Sequence, residues 1–331
     1  MYKETYKKIE REYEVKRNLA NRTYNELKEK IYSENPRLQE IDTEISKYGI
    51  QAAKASIVSP TNALNIRTDL EEKINNLRKE KEALLTSLKI DLKPKFSCSK
   101  CQDTGYINEN GDSKMCSCFK QELINESYSK SNLYRLREES FSKIDLNLFS
   151  DIPSIEKYRT EVSPRDNMKK ILDISKRFID NFDSAEQKNL LFTGTPGVGK
   201  TFISSCIANE IITKDYTVLY QTAPVLLNSI FEYKFNKEEK SKELYSSLFT
   251  VDLLIIDDLG TENLTAAKFE ELFTIINSRL ITQNTKTIIS TNLSLEDMAK
   301  IYDHRILSRL MGHFNIIRFY GDDLRLKKLS K

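Results

Sequence analysis

One short loop constrains this chain more than any other feature. Gly194-Thr195-Pro196-Gly197-Val198-Gly199-Lys200-Thr201 has the composition and spacing of a phosphate-binding loop. Residues 189–193 before it predict a short buried strand, and residues 202–212 after it predict a helix. In that context the loop's backbone N–H groups turn toward phosphates at a helix N-terminus. We therefore predict a nucleotide site in which Lys200 reaches the β- and γ-phosphates and Thr201 binds Mg²⁺; the alternative is a glycine-rich turn without a ligand.

A second segment supports the same site. Residues 253–256 are a continuous apolar run, typical of a strand buried on both faces, and they end in Asp257 and Asp258. A carboxylate at the tip of such a strand, beside a phosphate loop, holds the hydration shell of Mg²⁺, and we predict this role for Asp257. Asp258 is then placed to orient or deprotonate the attacking water. The alternative is an ordinary acidic junction between a strand and a loop.

Length and charge limit the remaining possibilities. At 331 residues the chain has room for two domains, and its net charge of +3 does not mark a nucleic-acid-binding protein. The N-terminus is charged and has no apolar core, so we expect no secretory signal. No apolar stretch approaches the length that spans a bilayer. We expect a cytoplasmic protein, in which clustered cysteines indicate metal binding rather than disulfides.

The N-terminal part, residues 1–95, is predicted to form a helical hairpin or a short coiled-coil arm. Apolar and aromatic residues recur at helical spacing from Tyr2 to Tyr48, and a second periodic run covers residues 66–88. Pro36 predicts a helix start or a kink, and residues 49–61 predict a turn region. Both a partner-binding arm and a solvated scaffold fit this pattern.

Residues 96–120 carry four of the five cysteines, which are Cys98, Cys101, Cys116 and Cys118. Asn110-Gly111 between the two pairs predicts a tight turn that brings them together. Four thiolates suit a structural Zn²⁺, and four protein ligands leave no position for a substrate. The last two cysteines have one residue between them instead of the more usual two, so free buried thiols are the alternative. Cys206 is expected to be a small core residue.

Residues 121–165 are predicted to be a connector, and residues 166–331 the nucleotide domain. Beyond the strand before the phosphate loop, strands are predicted at 216–222, 253–256, 286–290 and 315–319. Helices are predicted between them, at 223–235, 265–282, 294–302 and 305–311. This alternation predicts an α/β fold with a parallel, doubly wound sheet and a ligand at the carboxyl ends of the strands.

Four elements together resemble the AAA+ ATPases, a class of P-loop NTPases. They are the loop at 194–201 (Walker A), the strand and acids at 253–258 (Walker B), Asn292, and Arg305-Ile-Leu-Ser-Arg309. The cysteine pairs and Leu-Ile-Ile-Asp-Asp-Leu-Gly-Thr-Glu at 254–262 make the chain similar to bacterial replicative helicase loaders of the DnaC/DnaI type. The resemblance covers about residues 96–325.

The resemblance implies further site residues. Asn292 matches sensor 1, which touches the γ-phosphate or the attacking water, and Arg309 matches an arginine finger that reaches the ATP of a neighbouring subunit. Arg305 competes for the finger role, and Arg325 stands where a sensor 2 arginine acts. A strand-end turn is the alternative for Asn292, and a solvated helix surface is the alternative for the arginines.

Two departures from the wider AAA+ pattern shape the prediction. Only a dozen residues follow the last predicted strand, so we expect no C-terminal lid domain, as in loaders of this type. Asp258 stands where most AAA+ proteins carry Glu, and its shorter reach predicts slow hydrolysis with ATP acting as a switch. Glu262 is a candidate substitute base.

The resemblance implies an ATP-dependent loader that places the replicative DNA helicase on single-stranded DNA during replication initiation or restart. The arm and zinc module would bind the helicase, and the ATPase domain would self-associate through Arg309. The sequence itself offers one candidate for DNA contact, a stretch of basic and aromatic residues with Tyr233, Lys234, Phe235 and Lys237. Neighbouring glutamates weaken this signal. The rivals are an IstB-like ATPase helper of a DNA transposase, a nucleotide-gated adaptor with negligible turnover, and an unspecified P-loop NTPase. The cysteine module and long arm argue against the transposase helper.

Overall fold

The computed structural model describes residues 2–58, 63–109, 111–127, 139–236, 239–263, 265–282 and 284–329. Its contacts divide the chain into two compact units, residues 10–109 and residues 110–331 with residues 1–9. The finer boundaries predicted from the sequence, at residues 95, 120 and 165, stay a prediction. Among the described residues, no helix combines the length and apolar character that crossing a membrane requires.

Three long helices form most of the first unit. They are α1 (Tyr2–Glu34), α2 (Pro36–Val58) and α3 (Ala63–Ser87). Pro36 begins α2, a position where its missing N–H is not needed. The predicted turn over 49–61 is wrong as far as residue 58, because α2 continues through Gly49 into a run rich in good helix formers. Ile31, Tyr32 and Leu38 are buried in this unit, with Leu84 and Leu85 packed against them.

The cysteine segment contains a small hairpin and a helix. Strands β1 (Tyr106–Glu109) and β2 (Asp112–Met115) form a two-stranded sheet. Gly111 lies in the connecting turn with a φ of +92°, a conformation that favours glycine, while residue 110 lies outside the described residues. Helix α4 (Ser117–Ser127) follows directly. The predicted turn between the two cysteine pairs is therefore present.

The nucleotide domain is built on a five-stranded sheet whose neighbouring strands all run parallel. The strand order is β4-β5-β6-β3-β7. The strands are β3 (Asn189–Thr193), β4 (Val218–Thr222), β5 (Leu253–Leu259), β6 (Lys286–Thr291) and β7 (Phe314–Arg318). This confirms the predicted α/β fold with a parallel sheet and moves the strand bounds by at most three residues.

Helices pack on both faces of this sheet because its central strands are apolar on both faces. Leu253, Leu254, Ile255 and Ile256 are all fully buried, with alternate residues in the cores on opposite faces. The helices of this domain are α5 (Ile155–Tyr158), α6 (Pro164–Asp180), α7 (Lys200–Thr213), α8 (Ala223–Asn236), α9 (Glu239–Thr250), α10 (Ala266–Ile281), α11 (Leu295–Ile301), α12 (His304–His313) and α13 (Leu324–Leu329), preceded by 3₁₀ turns at Phe141–Lys143 and Leu146–Leu148.

The sequence analysis predicted no helix at α9, which begins among the glutamates that follow the basic and aromatic stretch. Tyr245, Leu248 and Phe249 recur at helical spacing in its second half, and Leu248 is buried in the core. The charged first half hid this short amphipathic pattern.

Candidate nucleotide-binding site

The phosphate loop joins the end of β3 to the start of α7, as predicted. Gly199, with a φ of +101°, precedes the first helical residue, Lys200. A side chain at Gly194 would place its Cβ 2.1 Å from the backbone oxygen of Phe319, and one at Gly197 would place it 2.0 Å from Oδ1 of Asp323. Both glycines therefore allow the chain after β7 to pack directly on the loop.

Lys200 is 5% exposed, and its ammonium group points into the loop. Nζ donates to the carbonyl oxygens of Gly194 at 2.6 Å and Thr195 at 2.9 Å, and to Oδ1 of Asn292 at 2.7 Å. Burial lowers the pKa of Lys200 to about 8, while the charges of Asp258 and Asp257 oppose that shift. The structure thus brings the predicted phosphate-binding lysine together with the predicted sensor, Asn292, which follows β6.

Asp257 lies near the carboxyl end of β5, and its buried carboxylate accepts hydrogen bonds from three hydroxyl groups. Oδ2 accepts from Thr201 Oγ1 at 3.0 Å and from Tyr220 Oη at 2.6 Å, and Oδ1 accepts from Ser290 Oγ. The two predicted Mg²⁺ residues, Thr201 and Asp257, therefore contact each other across 56 residues of sequence. A hydroxyl and a carboxylate oxygen are ligands that suit Mg²⁺.

Asp258 has an unusual backbone conformation and a carboxyl group with a shifted pKa. Its φ is +54°, in the left-handed region, at the point where the register between β5 and β6 shifts. Such a bulge redirects a side chain, and residues held in this conformation often belong to functional sites. Burial, and then the charge of Asp257, raise the pKa of Asp258, while Lys200 and Arg325 oppose the shift. A carboxylate with a raised pKa accepts a proton more readily.

A cavity of about 430 Å³ opens beside the loop. The polar and charged side chains that line it include Lys200, Thr201, Asp258, Asn292, Arg325, Glu139, Lys143 and Asp145. The apolar ones include Ile144, Leu148, Phe149, Met168 and Leu324. A cavity lined by both apolar and cation-bearing side chains fits a nucleotide, whose base is flat and whose phosphates are anionic.

The sequence did not predict the cavity-lining residues of the segment before α5, because residues 121–165 were predicted to be a connector only. The available signal was a series of apolar residues in an otherwise polar segment, from Phe141 to Phe149, which pack on the domain core. It also missed Tyr220 and Ser290, each of which stands near the carboxyl end of a predicted strand.

The two finger candidates lie on α12, outside the residues that line the cavity. Arg309 donates to Oδ1 of Asn277 at 3.0 Å, and its guanidinium lies 4.9 Å from the ring centre of Phe273. Arg305 lies at the same distance from that ring and also binds Glu270 and Asp303. Arg325, in contrast, lines the cavity.

Glu262, the candidate substitute base, is occupied elsewhere. Its Oε2 accepts from the backbone N–H of Gly260 at 2.7 Å, and its Oε1 accepts from the hydroxyl of Tyr302. It lies outside the residues that line the cavity, so the geometry does not favour it as a base for the attacking water.

The stretch predicted to contact DNA is only partly described. Lys234 pairs with Glu271. Lys237 lies outside the described residues, as do the side chains of Tyr233 and Phe235. The predicted DNA contact stays a prediction.

The four predicted zinc ligands come together. The sulfur atoms of Cys98, Cys101, Cys116 and Cys118 all lie within 4.8 Å of one another. The buried carboxylate of Asp103 accepts from the backbone N–H groups of Ser97 at 2.9 Å and Cys98 at 2.8 Å, which fixes the turn that carries the first pair. The cluster has the number and type of ligands that Zn²⁺ requires. Cys206 is buried in α7, where burial raises the pKa of its thiol to about 12.

Comparisons with known proteins show what this chain is similar to. The family model of IstB-like ATP binding proteins matches residues 128–331. The replicative helicase loader DnaC of Escherichia coli (strain K12) is 28% identical over 182 residues, which are 54% of this chain and 71% of that protein. The insertion sequence IS232 putative ATP-binding protein of Bacillus thuringiensis subsp. berliner is 24% identical over 192 residues, 56% of this chain and 73% of that protein. The crystal structure of DnaI matches with a TM-score of 0.45 and 24% identity, over 58% of this chain and 93% of that one.

Proposed function

Because this chain belongs to the family of IstB-like ATP-binding proteins, we propose that it is an ATPase that loads a replicative DNA helicase onto single-stranded DNA. The loading would occur in the cytoplasm, at replication initiation or restart. The observation that carries the ATPase part of the proposal is the contact of Thr201 with Asp257, because Thr201 and its neighbour Lys200 line the cavity. A relative named a replicative helicase loader supports the choice of partner.

The site residues have separable roles in this proposal. The ammonium group of Lys200 is held in the loop by backbone carbonyl groups and by Asn292. When ATP binds, the β- and γ-phosphates would replace these partners. Thr201 and Asp257 would hold Mg²⁺, which neutralises charge on the phosphates when it is bound. Asp258 would accept the proton of the attacking water, and Asn292 would orient that water. The apolar residues from the segment before α5 would contact the base.

Slow turnover follows from the length of the Asp258 side chain. Aspartate reaches about one carbon–carbon bond less far than glutamate, and proton transfer depends on hydrogen-bond distance. The backbone of Asp258 is already in a constrained conformation, so the strand end has little freedom to move it toward the water. ATP would act as a switch between a bound and a released state of the loader.

The remaining parts would serve assembly. Cys98, Cys101, Cys116 and Cys118 would hold a structural Zn²⁺, with no ligand position left for a substrate. The helical arm and this module would bind the helicase. Arg309 would reach the ATP of a neighbouring copy, since its guanidinium lies away from the cavity of its own chain.

Co-sedimentation of the full chain with the same organism's replicative helicase tests the proposal. We expect a defined complex that depends on ATP, is weakened by Lys200→Ala and is lost when residues 1–120 are deleted. ATP binding by the deletion variant is the control for its fold. A complex that forms equally with and without the arm, or no complex in any nucleotide state, would contradict the proposal.

A helper of a DNA transposase is the second candidate, favoured by the family description and by the relative from an insertion sequence. It shares the ATP site and differs in the partner. A complex with the transposase of the same genome, together with no binding to the helicase, would select it.

A further inference from the structure

A tyrosine hydroxyl is buried against the carboxylate that is proposed to hold Mg²⁺. Tyr220 is fully buried on β4, and its Oη lies 2.6 Å from Oδ2 of Asp257. Burying a hydroxyl costs free energy unless it makes a hydrogen bond, and a bond to a carboxylate is among the strong ones. A phenylalanine would fill the same apolar space without that bond. The hydroxyl at this position therefore points to a role beyond packing.

The sheet register explains how Tyr220 reaches Asp257. On the parallel pair β4 and β5, Tyr220 stands beside Ile255 and Thr222 stands beside Asp257. Residues two apart on a strand share a face, so Tyr220 and Asp257 project from the same face of the sheet. Any shift of β4 along β5 by one residue would turn Tyr220 to the opposite face.

The three hydroxyls on Asp257 are not equivalent. Thr201 is itself a proposed Mg²⁺ ligand and would turn toward the ion when it binds. Tyr220 and Ser290 instead come from β4 and β6, the two strands that flank β5. They hold one carboxylate oxygen each. With Thr201 engaged by the ion, these two hydroxyls are what fixes the orientation of the Asp257 carboxylate.

The strand that carries Tyr220 is held from its outer side as well. β4 is the edge of the five-stranded sheet, and Gln121 of α4 supplies the hydrogen bonds that a further strand would make. The amide of Gln121 accepts from Val218 N at 2.7 Å and donates to Val218 O at 2.9 Å. This fixes the strand two residues before Tyr220.

We propose that Tyr220 is a positioning residue of the ATPase site, whose hydroxyl orients Asp257 for Mg²⁺. The proposal rests on the proposed Mg²⁺·ATP site and concerns the affinity for the ion rather than for the nucleotide. It assigns no contact between Tyr220 and ATP.

Tyr220→Phe tests the proposal, with Tyr302→Phe as the matched control. Tyr302 is also buried and also donates to a carboxylate, that of Glu262, whose other partner in the structure is the backbone N–H of Gly260 rather than Thr201. Binding of a fluorescent ATP analogue would be titrated first in EDTA and then at fixed nucleotide over a range of Mg²⁺ concentrations. Thermal unfolding would be recorded for each variant.

We expect Tyr220→Phe to bind nucleotide in EDTA within about twofold of the unaltered protein and to need about tenfold more Mg²⁺ for half-saturation. Tyr302→Phe should leave both quantities unchanged, even where it lowers the unfolding temperature as much. An unshifted Mg²⁺ requirement in Tyr220→Phe, or an equal shift in Tyr302→Phe, would overturn the role of Tyr220. Absence of nucleotide binding by the unaltered protein would instead reject the ATP site itself.

Discussion

Charged groups are held in opposite ways in the helical arm and at the nucleotide site. In the arm, Arg37 binds Glu40, Glu44 and Glu80, and Asp42 binds Lys28 and Lys81. At the site, the hydrogen-bond partners that the structure shows for Lys200 are two carbonyls and an amide, and those for Asp257 are three hydroxyls.

This difference separates charges that serve the fold from charges that serve a ligand. An ion pair neutralises itself, and in an exposed helix it contributes little beyond local stability. A buried charge whose hydrogen-bond partners are neutral dipoles is fixed in place without a direct ion pair, so it can still interact strongly with an ion of opposite sign. This arrangement supports the proposal that Lys200 binds phosphate and that Asp257 holds Mg²⁺.

The largest expected effect is on kcat, and it comes from replacing the Asp258 carboxylate, which is proposed to accept the proton of the attacking water. Asp258→Asn keeps the size of the side chain and should reduce kcat for ATP by about 10²- to 10⁴-fold. ATP affinity should stay within a few-fold, because phosphate binding is assigned to the loop and Lys200. Single-turnover hydrolysis and a binding titration measure the two quantities separately.

The matched control is Asp42→Asn in the arm, which should leave kcat unchanged. Equal turnover in Asp258→Asn and the unaltered protein would remove Asp258 from the chemistry. A wild-type turnover as fast as that of a motor ATPase would contradict the proposed switch.

Lys200→Ala is expected to give the next largest effect. The variant removes the ammonium group that lies inside the loop, and ATP affinity should fall by about 100-fold or more. Isothermal titration calorimetry with Mg²⁺·ATP gives the affinity directly. Lys81→Ala, which removes a lysine that is already paired with Asp42, should bind ATP as the unaltered protein does. If both variants bound equally well, the contrast between paired and unpaired charges would have no functional meaning.

Whether the sequence predicts a contact at the nucleotide site depends on how far apart the two contacting residues lie along the chain. The phosphate-binding loop could be predicted from residues 194–201 alone, because its glycines, lysine and threonine are close together in the sequence. Asp257 and Asp258 were found because they follow a strand with a readable apolar pattern, whereas the role of Asn292 came from the resemblance to AAA+ ATPases. These local signals were enough to predict a parallel sheet with the site at its carboxyl edge.

The partners that position those residues could not be predicted in the same way. Tyr220 lies 37 residues from Asp257, and Gln121 lies 97 residues from Val218. Both contacts require the strand order, which places β4 at the edge beside β5. Nothing in the local pattern around Tyr220 distinguishes a positioning hydroxyl from a β-forming core residue.

The cysteine cluster extends the comparison, because four thiolates next to one another are stable only with a cation. We expect about one Zn²⁺ per chain by elemental analysis, and we expect Cys101→Ser to lower that content to near zero. Backbone amide exchange should accelerate over residues 97–118 in the variant, because the metal replaces a hydrophobic core in so small a module. Cys206→Ser is the control. Because Cys206 lies in α7 and outside the cluster, this substitution should leave the zinc content unchanged. Zinc retained by Cys101→Ser would show that the cluster does not use all four sulfurs.

The smallest expected effects lie in the arm, where they distinguish a half-buried ion cluster from an exposed pair. Asp42 accepts from the hydroxyl of Tyr32 as well as from Lys28 and Lys81, so Asp42→Asn should destabilise the helices around it by about 1 kcal/mol. Arg22 pairs with Glu26 on a solvent-exposed helix surface, and Arg22→Ala should give no measurable change.

Hydrogen exchange of amides in α1 and α2 measures local opening without requiring the whole chain to unfold in one step. Equal exchange rates in the two variants would mean that the arm gains no more from its half-buried cluster than from its surface pairs. In that case the distinction between charges that serve the fold and charges that serve a ligand would hold only for the nucleotide site.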